Sequence, residues 1–112
     1  AFDIKGPGDL APTTGFVMGR PVGQFAAHQR PDSFAVLANG HVAVATVAAR
    51  PGIASVDPES GQITNYPLDD MVVTNICFGG EDMRDAWITL GTSGRLIKAR
   101  WDTPGLRLAH YS

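Results

Sequence analysis

Short apolar runs separated by turn residues make up most of the first half of the chain. The run at 34–37 leads through Asn39-Gly40 into a second run at 41–46. Asn-Gly between two such runs is the strongest short-range signal for a β-hairpin. A third run at 52–57 leads through Pro-Glu-Ser-Gly to a fourth at 62–66. The pattern predicts four short antiparallel strands in sequence order.

The same order of runs and turns returns in the second half of the chain. Four further runs are separated by turns rich in Gly, Asp and Ser; they lie at 75–78, 86–90, 95–101 and 106–111. Ile53 is matched by Leu96 and Asp32 by Asn75, each pair 43 residues apart. A repeated four-stranded unit of about 40–50 residues is typical of a β-propeller blade. We therefore predict two four-stranded sheets, over residues 32–67 and 75–111.

The beginning of the chain predicts the end of an earlier blade. Apolar runs at 2–4 and 14–18 flank a Gly-Pro-Gly-Asp turn and indicate two strands. The predicted fold is thus all-β, with about two and a half propeller blades: residues 1–30 end one blade, 31–68 form the next, and 69–112 form another. A β-sandwich is the alternative, but sandwiches rarely repeat internally at blade length.

A partial propeller is expected to need partners, because blade faces are buried only by neighbouring blades. The expected partners are the remaining blades, from another chain or from a region absent here. The sequence begins with Ala, which suggests that the natural start lies elsewhere. Several copies of this fragment would also complete a ring of blades, so self-assembly remains open.

Composition narrows the function classes. Hydrophobic residues make up 44% of the chain, which permits a packed core, and the formal net charge is −2. Nucleic acid and membrane partners are not expected, since there is no basic excess and no apolar run of about 20 residues. The single cysteine, Cys77, excludes an intramolecular disulfide and a cysteine zinc site, and we expect it to be buried. A cytoplasmic location is favoured.

Three segments resemble the gluconolactonase/regucalcin family, also called the senescence-marker-protein family. Residues 30–45 resemble its "PDG, apolar strand, turn, WVA" stretch, 52–61 its "D-P-x-x-G" hairpin, and 73–82 its "T-N-x-x-F-G-G-x-D" segment. The resemblance covers nearly the whole chain, as the C-terminal portion of a family member. It implies a six-bladed β-propeller with a divalent metal at one mouth of the central channel. It also implies hydrolysis of lactones, often sugar lactones.

Asp32 is the main candidate for chemistry. By resemblance it takes the place of a metal-ligating aspartate, and a carboxylate suits Ca²⁺, Mg²⁺, Mn²⁺ or Zn²⁺. Such a metal polarises a lactone carbonyl and lowers the pKa of bound water, and Asp32 is a candidate base toward that water. The alternative is a turn aspartate that caps a backbone N–H. Ser33 departs from the family's usual Gly, which leaves the shape of the metal loop open.

Asn75 and Thr74 are the candidate substrate-binding residues. Asn75 is matched with Asp32 by the repeat, so it is expected at the same channel mouth; the alternative is a turn Asn that bonds its own backbone. Ser33 and Ser93 lack the G-x-S-x-G pattern of serine hydrolases. The Asp69-Asp70 pair is interpreted as a solvated loop.

The predicted function is therefore the C-terminal part of a metal-dependent lactone hydrolase acting on a small lactone. By resemblance, the other metal ligands lie outside this chain. The alternatives are a non-catalytic propeller binding module and a self-assembling propeller fragment.

Overall fold

A computed structural model describes residues 1–12 and 19–110, and these residues form strands and turns. The strands are β1 (Ile4–Gly6), β2 (Asp9–Leu10), β3 (Gln29–Val36), β4 (Val42–Ala48), β5 (Gly52–Val56), β6 (Ile63–Pro67), β7 (Val73–Gly79), β8 (Asp85–Leu90) and β9 (Arg95–Arg100). Within the described ranges no helix is long and apolar enough to cross a membrane.

The strands form three antiparallel sheets. β1 and β2 make a small hairpin, β3-β4-β5-β6 make a four-stranded sheet, and β7-β8-β9 make a three-stranded sheet. The all-β prediction is confirmed, and so is the four-stranded sheet of the first repeat. The predicted Gly-Pro-Gly-Asp turn forms at Pro7-Gly8, but β1 contains only Ile4 of the run predicted at 2–4, and its partner β2 follows the turn directly. The strand predicted at 14–18 falls outside the described residues.

Local turn chemistry explains the first sheet. Gly40 has a φ of 85°, a value that glycine adopts without steric cost, and the Asn39 side chain accepts a hydrogen bond from the His41 N–H at 3.0 Å. Between β5 and β6, the Asp57 carboxylate accepts hydrogen bonds from the Glu59 N–H and the Ser60 hydroxyl. Both turns therefore reverse the chain through contacts within a few residues.

The fourth strand of the second sheet was predicted at 106–111, and this prediction is wrong for 106–110; Tyr111 lies outside the described residues. After β9 the chain leaves its own sheet and crosses to the end of β3. There Gly105 forms an isolated antiparallel bridge with Leu37, and the Leu106 N–H donates to the Val36 carbonyl at 2.9 Å. The backbone groups that a fourth strand would offer to β9 are thus partly used by the first sheet.

Residues 101–108, which we call the strap, join the two sheets. The Trp101 ring lies 4.9 Å from Tyr66 of the first sheet and 6.2 Å from Phe78 of the second, measured between centroids. The Gly105 N–H donates to the Met83 carbonyl at 2.8 Å. The strap therefore stabilises the relative position of the two sheets.

The main core lies between the two larger sheets. One face of β3-β4-β5 packs against β7 and β8. The buried members of this cluster are Leu37, Ala43, Ala45, Ile53, Val73, Ile76, Ala86, Ile88 and Leu90. Face-to-face packing of consecutive antiparallel sheets is the arrangement of neighbouring propeller blades.

The outward face of the second sheet and the β3 edge of the first are less covered, whereas the central strands β4 and β5 of the first sheet are buried on both faces. On the first sheet Phe34 is 61% exposed, and on the second Leu96 is 64% and Trp87 38% exposed. Cys77 is also exposed on β7, so the prediction that it is buried is wrong. Strand alternation explains this, because Ile76 on the same strand takes the core-facing position and directs its neighbour to the opposite face.

Replacing Gly105 with Ala is expected to destabilise the protein by about 1–3 kcal/mol, the usual range for overpacking. A Cβ atom at this position would lie 2.3 Å from the Phe78 Cβ and 2.5 Å from its Cγ. Chemical denaturation measures the effect, and Gly6→Ala is the control because a Cβ there meets nothing within 4 Å. Equal stability of the two variants would contradict the packing described for the strap.

Candidate functional site

The first strands of the two larger sheets, β3 and β7, lie beside each other. Each carries a register irregularity near its beginning. In β3, Pro31 pairs with Thr46 and Phe34 with Val44, so Asp32 and Ser33 stand together opposite one residue of β4. β-Bulges of this kind are over-represented next to active sites, where they redirect a side chain.

The corresponding irregularity in β7 contains Thr74 and Asn75. Val73 pairs with Leu90 and Ile76 with Ile88, which leaves these two residues opposite Thr89. The strand registers therefore match Asp32 with Thr74 and Ser33 with Asn75. The expectation that Asn75 is the counterpart of Asp32 is wrong by one residue, because the offset between β3 and β7 differs from the 43 residues that separate β5 from β9.

Asp32 is exposed and its carboxylate makes no hydrogen bond or ion pair within the described residues. It therefore does not cap a backbone N–H, and the alternative of a turn cap is wrong. The side chain borders a groove of about 400 Å³ with otherwise apolar walls, which include Phe34 and Val44. An unpaired carboxylate at the rim of a groove is free to bind a cation.

The two residues predicted to bind substrate make local contacts. The Asn75 side-chain oxygen accepts a hydrogen bond from the Ile76 N–H at 2.9 Å, as in the turn-Asn alternative. The Thr74 hydroxyl lies 2.7 Å from the Thr89 hydroxyl. Asn75 borders a second groove, of about 390 Å³, which it shares with Phe34. A direct role of either residue toward substrate stays a prediction.

A metal site fits these residues only in part. Asp32 offers a free carboxylate, but hard cations such as Ca²⁺ take six or more oxygen ligands, several of them from protein. Among residues 1–12 and 19–110 no group of three or more His, Cys, Asp or Glu side chains is close enough to hold a metal ion. The chain thus fits as the donor of one carboxylate ligand and not as the owner of a complete site.

Asp70 was interpreted as part of a solvated loop, and this interpretation is wrong. The residue is only 8% exposed. Its carboxylate accepts hydrogen bonds from the N–H groups of Val72, Thr92 and Ser93 and from the Ser93 hydroxyl at 2.7 Å. The Ser93 hydroxyl is the main cause that holds the pKa of Asp70 well below its usual range. Asp70 connects the chain before β7 to the β8–β9 turn, which is a structural role.

A charged cluster lies near the β7–β8 turn. Arg100 pairs with Asp82 at 2.5 Å and with Asp85 at 2.7 Å, and Lys98 pairs with Asp85 at 2.8 Å. The hydrogen bond from Arg100 lowers the pKa of Asp82 to about 2. These carboxylates are already neutralised by basic side chains, so they support the turn and are poor candidates for chemistry.

The feature of the site that sequence analysis missed is a contact of Ser33. Its hydroxyl donates a hydrogen bond to the Thr74 carbonyl and so joins the two irregular regions of β3 and β7. The partners are 41 residues apart in sequence. Nothing in either segment signals the contact, because it depends on how the two sheets pack.

Comparison with known proteins supports the interpretation of the fold. No curated protein sequence matches the chain. The family model described as "SMP-30/Gluconolactonase/LRE-like region" matches residues 2–92, more than four fifths of the chain. That range includes both repeats as far as the β8–β9 turn, and it contains Asp32, Thr74 and Asn75. With its consecutive blade-like sheets and this match, the chain belongs to the SMP-30/gluconolactonase/LRE-like family of β-propellers.

Proposed function

We propose that the chain is part of a metal-dependent lactone hydrolase, in which Asp32 supplies one carboxylate ligand to a divalent cation. The observation that carries the proposal is the unpaired carboxylate of Asp32 on the β3 bulge. Membership in a family that includes lactonases supports the reaction class. Such a metal supplies Lewis-acid activation of the lactone carbonyl and of water.

The residues of this chain have separate tasks in the proposal. Asp32 binds the cation and is the candidate acceptor for a proton from water, since no neighbour in the described chain occupies its oxygens. The NH₂ group of Asn75 has no partner among the described residues and is a candidate donor to a small lactone. Thr74 is a candidate for a second substrate contact; its hydroxyl lies 2.7 Å from the Thr89 hydroxyl, and its carbonyl accepts the hydrogen bond from Ser33.

The remaining ligands and blades are proposed to come from another chain or another region of the same protein. Two features support this proposal. The outward face of the second sheet leaves Leu96 64% and Trp87 38% exposed, and in a propeller such a face is buried by the neighbouring blade. The strand β9 also has β8 as its only neighbour within the described sheet, and such edges favour pairing with another strand.

Removal of the metal from the whole protein tests the function. We expect hydrolysis of a sugar lactone and of a simple aliphatic lactone to stop after treatment with a chelator. We expect it to return when Ca²⁺, Mg²⁺, Mn²⁺ or Zn²⁺ is added singly, and the best of these identifies the cation. The loss should be at least about 100-fold, because a Lewis acid contributes several kcal/mol to the barrier.

Two outcomes would contradict the proposal. Lactone hydrolysis that is insensitive to the chelator would exclude the metal. Metal binding without turnover of any lactone would favour the second candidate, a non-catalytic propeller binding module. The incomplete ligand set within the described residues is the observation that keeps this candidate in consideration.

A further inference from the structure

Ser33 occupies an unusual position for a serine in a strand. It lies in the bulge next to Asp32, is half-buried, and donates its hydroxyl proton to the Thr74 carbonyl of β7. Thr74 stands in the matching irregularity of β7. The contact therefore connects the two irregular segments that carry every residue of the candidate site.

In a β-bulge, strand pairing does not fix the direction of every side chain. Asp32 and Ser33 share one opposing residue, Ala45, so regular ladder pairing does not determine the direction of both side chains. The bond from Ser33 to the neighbouring sheet supplies a second point of attachment, one residue from the Asp32 carboxylate. Asp32 itself has no bond within the described chain that would hold it.

The serine is accommodated without backbone strain. Ser33 is not among the residues with positive φ, which in this region are His28 and Ala48. The backbone at position 33 therefore accepts a serine side chain where the family usually has Gly. A glycine here would remove the only donor that reaches Thr74 from the bulge.

We propose that Ser33 is a positioning residue, whose hydrogen bond to the Thr74 carbonyl orients Asp32 toward the cation. The inference rests on the proposed function of Asp32. A positioning role differs from a purely structural one in its effect on the metal. Loss of the hydrogen bond must raise the Kd for the metal, and this rise must not be explained by a lower melting temperature. The hydroxyl group is the part that matters, so threonine should replace serine.

The experiment uses the whole protein freed of metal, titrated with Mn²⁺ by calorimetry, with the melting temperature measured in parallel. We expect Ser33→Ala and Ser33→Gly to raise the Kd for Mn²⁺ about tenfold, at the low end of the range for groups that orient metal ligands. Ser33→Thr is expected to restore the Kd to near that of the unaltered protein. Ser55→Ala is the matched control, because its hydroxyl lies in the same sheet on β5, away from the bulge.

Asp32→Ala separates failure of this inference from failure of the proposed function. If Asp32→Ala abolishes Mn²⁺ binding while Ser33→Ala binds like the unaltered protein, the positioning role is wrong and the metal site stands. If neither substitution changes binding, both proposals are wrong. If Ser33→Thr restores the melting temperature but not the Kd, the bond is structural only, and the inference is overturned.

Discussion

Replacing Asp32 with Ala is expected to reduce kcat/KM for lactone hydrolysis by at least about 100-fold and to weaken metal binding in the same protein. Asp32 carries the only unpaired carboxylate on the β3 bulge, so its removal takes away a ligand without breaking any contact within the described chain. The melting temperature of the metal-free protein should therefore stay close to that of the unaltered one. Activity at several metal concentrations, combined with thermal melting, measures both parts of this expectation.

Asp69→Ala is the matched control for this prediction. Asp69 is also an exposed aspartate, and the contact described for it involves its backbone carbonyl and not its carboxylate. The Asp69→Ala variant removes the same negative charge, but at a position far in sequence from the β3 bulge. If both variants lost activity equally, general electrostatics would explain the effect. Full activity of Asp32→Ala at saturating metal would exclude Asp32 as a required ligand.

Replacing Ile88 with Ala is expected to lower the free energy of unfolding by about 2–5 kcal/mol, the usual cost of truncating a buried aliphatic side chain. Ile88 lies on the central strand of the second sheet, is 1% exposed, and belongs to the cluster that joins both larger sheets. The cavity would open where the two blades meet. Chemical denaturation followed by tryptophan fluorescence measures the change.

Leu96→Ala gives the comparison that makes the result informative. Leu96 lies on the opposite face of the same sheet and is 64% exposed, so within this chain its truncation should cost less than about 0.5 kcal/mol. If Leu96→Ala lowered the free energy of unfolding of the whole protein nearly as much as Ile88→Ala does, another blade would have to cover this face. A cost below about 1 kcal/mol for Ile88→Ala would contradict the core described between the sheets.

The amino-acid sequence by itself determined the elements whose signals are local. The hairpin at Asn39-Gly40 formed where expected, because Gly40 provides the positive φ and Asn39 bonds its own turn. The turn at 57–61 closes through the Asp57 carboxylate within four residues. The repeat of apolar runs also located the β7, β8 and β9 strands, since alternation along a strand is visible in any short window.

The tertiary structure alone decided the features that join distant segments. The strap does not pair with β9, because its backbone groups form hydrogen bonds with Val36, at the end of β3 in the first sheet, and with nearby Ala38. No sequence pattern within residues 101–108 indicates which of the two sheets these groups will bond. The alignment of Asp32 with Thr74 depends on strand pairing, and the bond from Ser33 depends on how two sheets pack face to face. Local propensity specifies where a strand can form, whereas its neighbours are selected by burial and by which backbone groups remain unpaired.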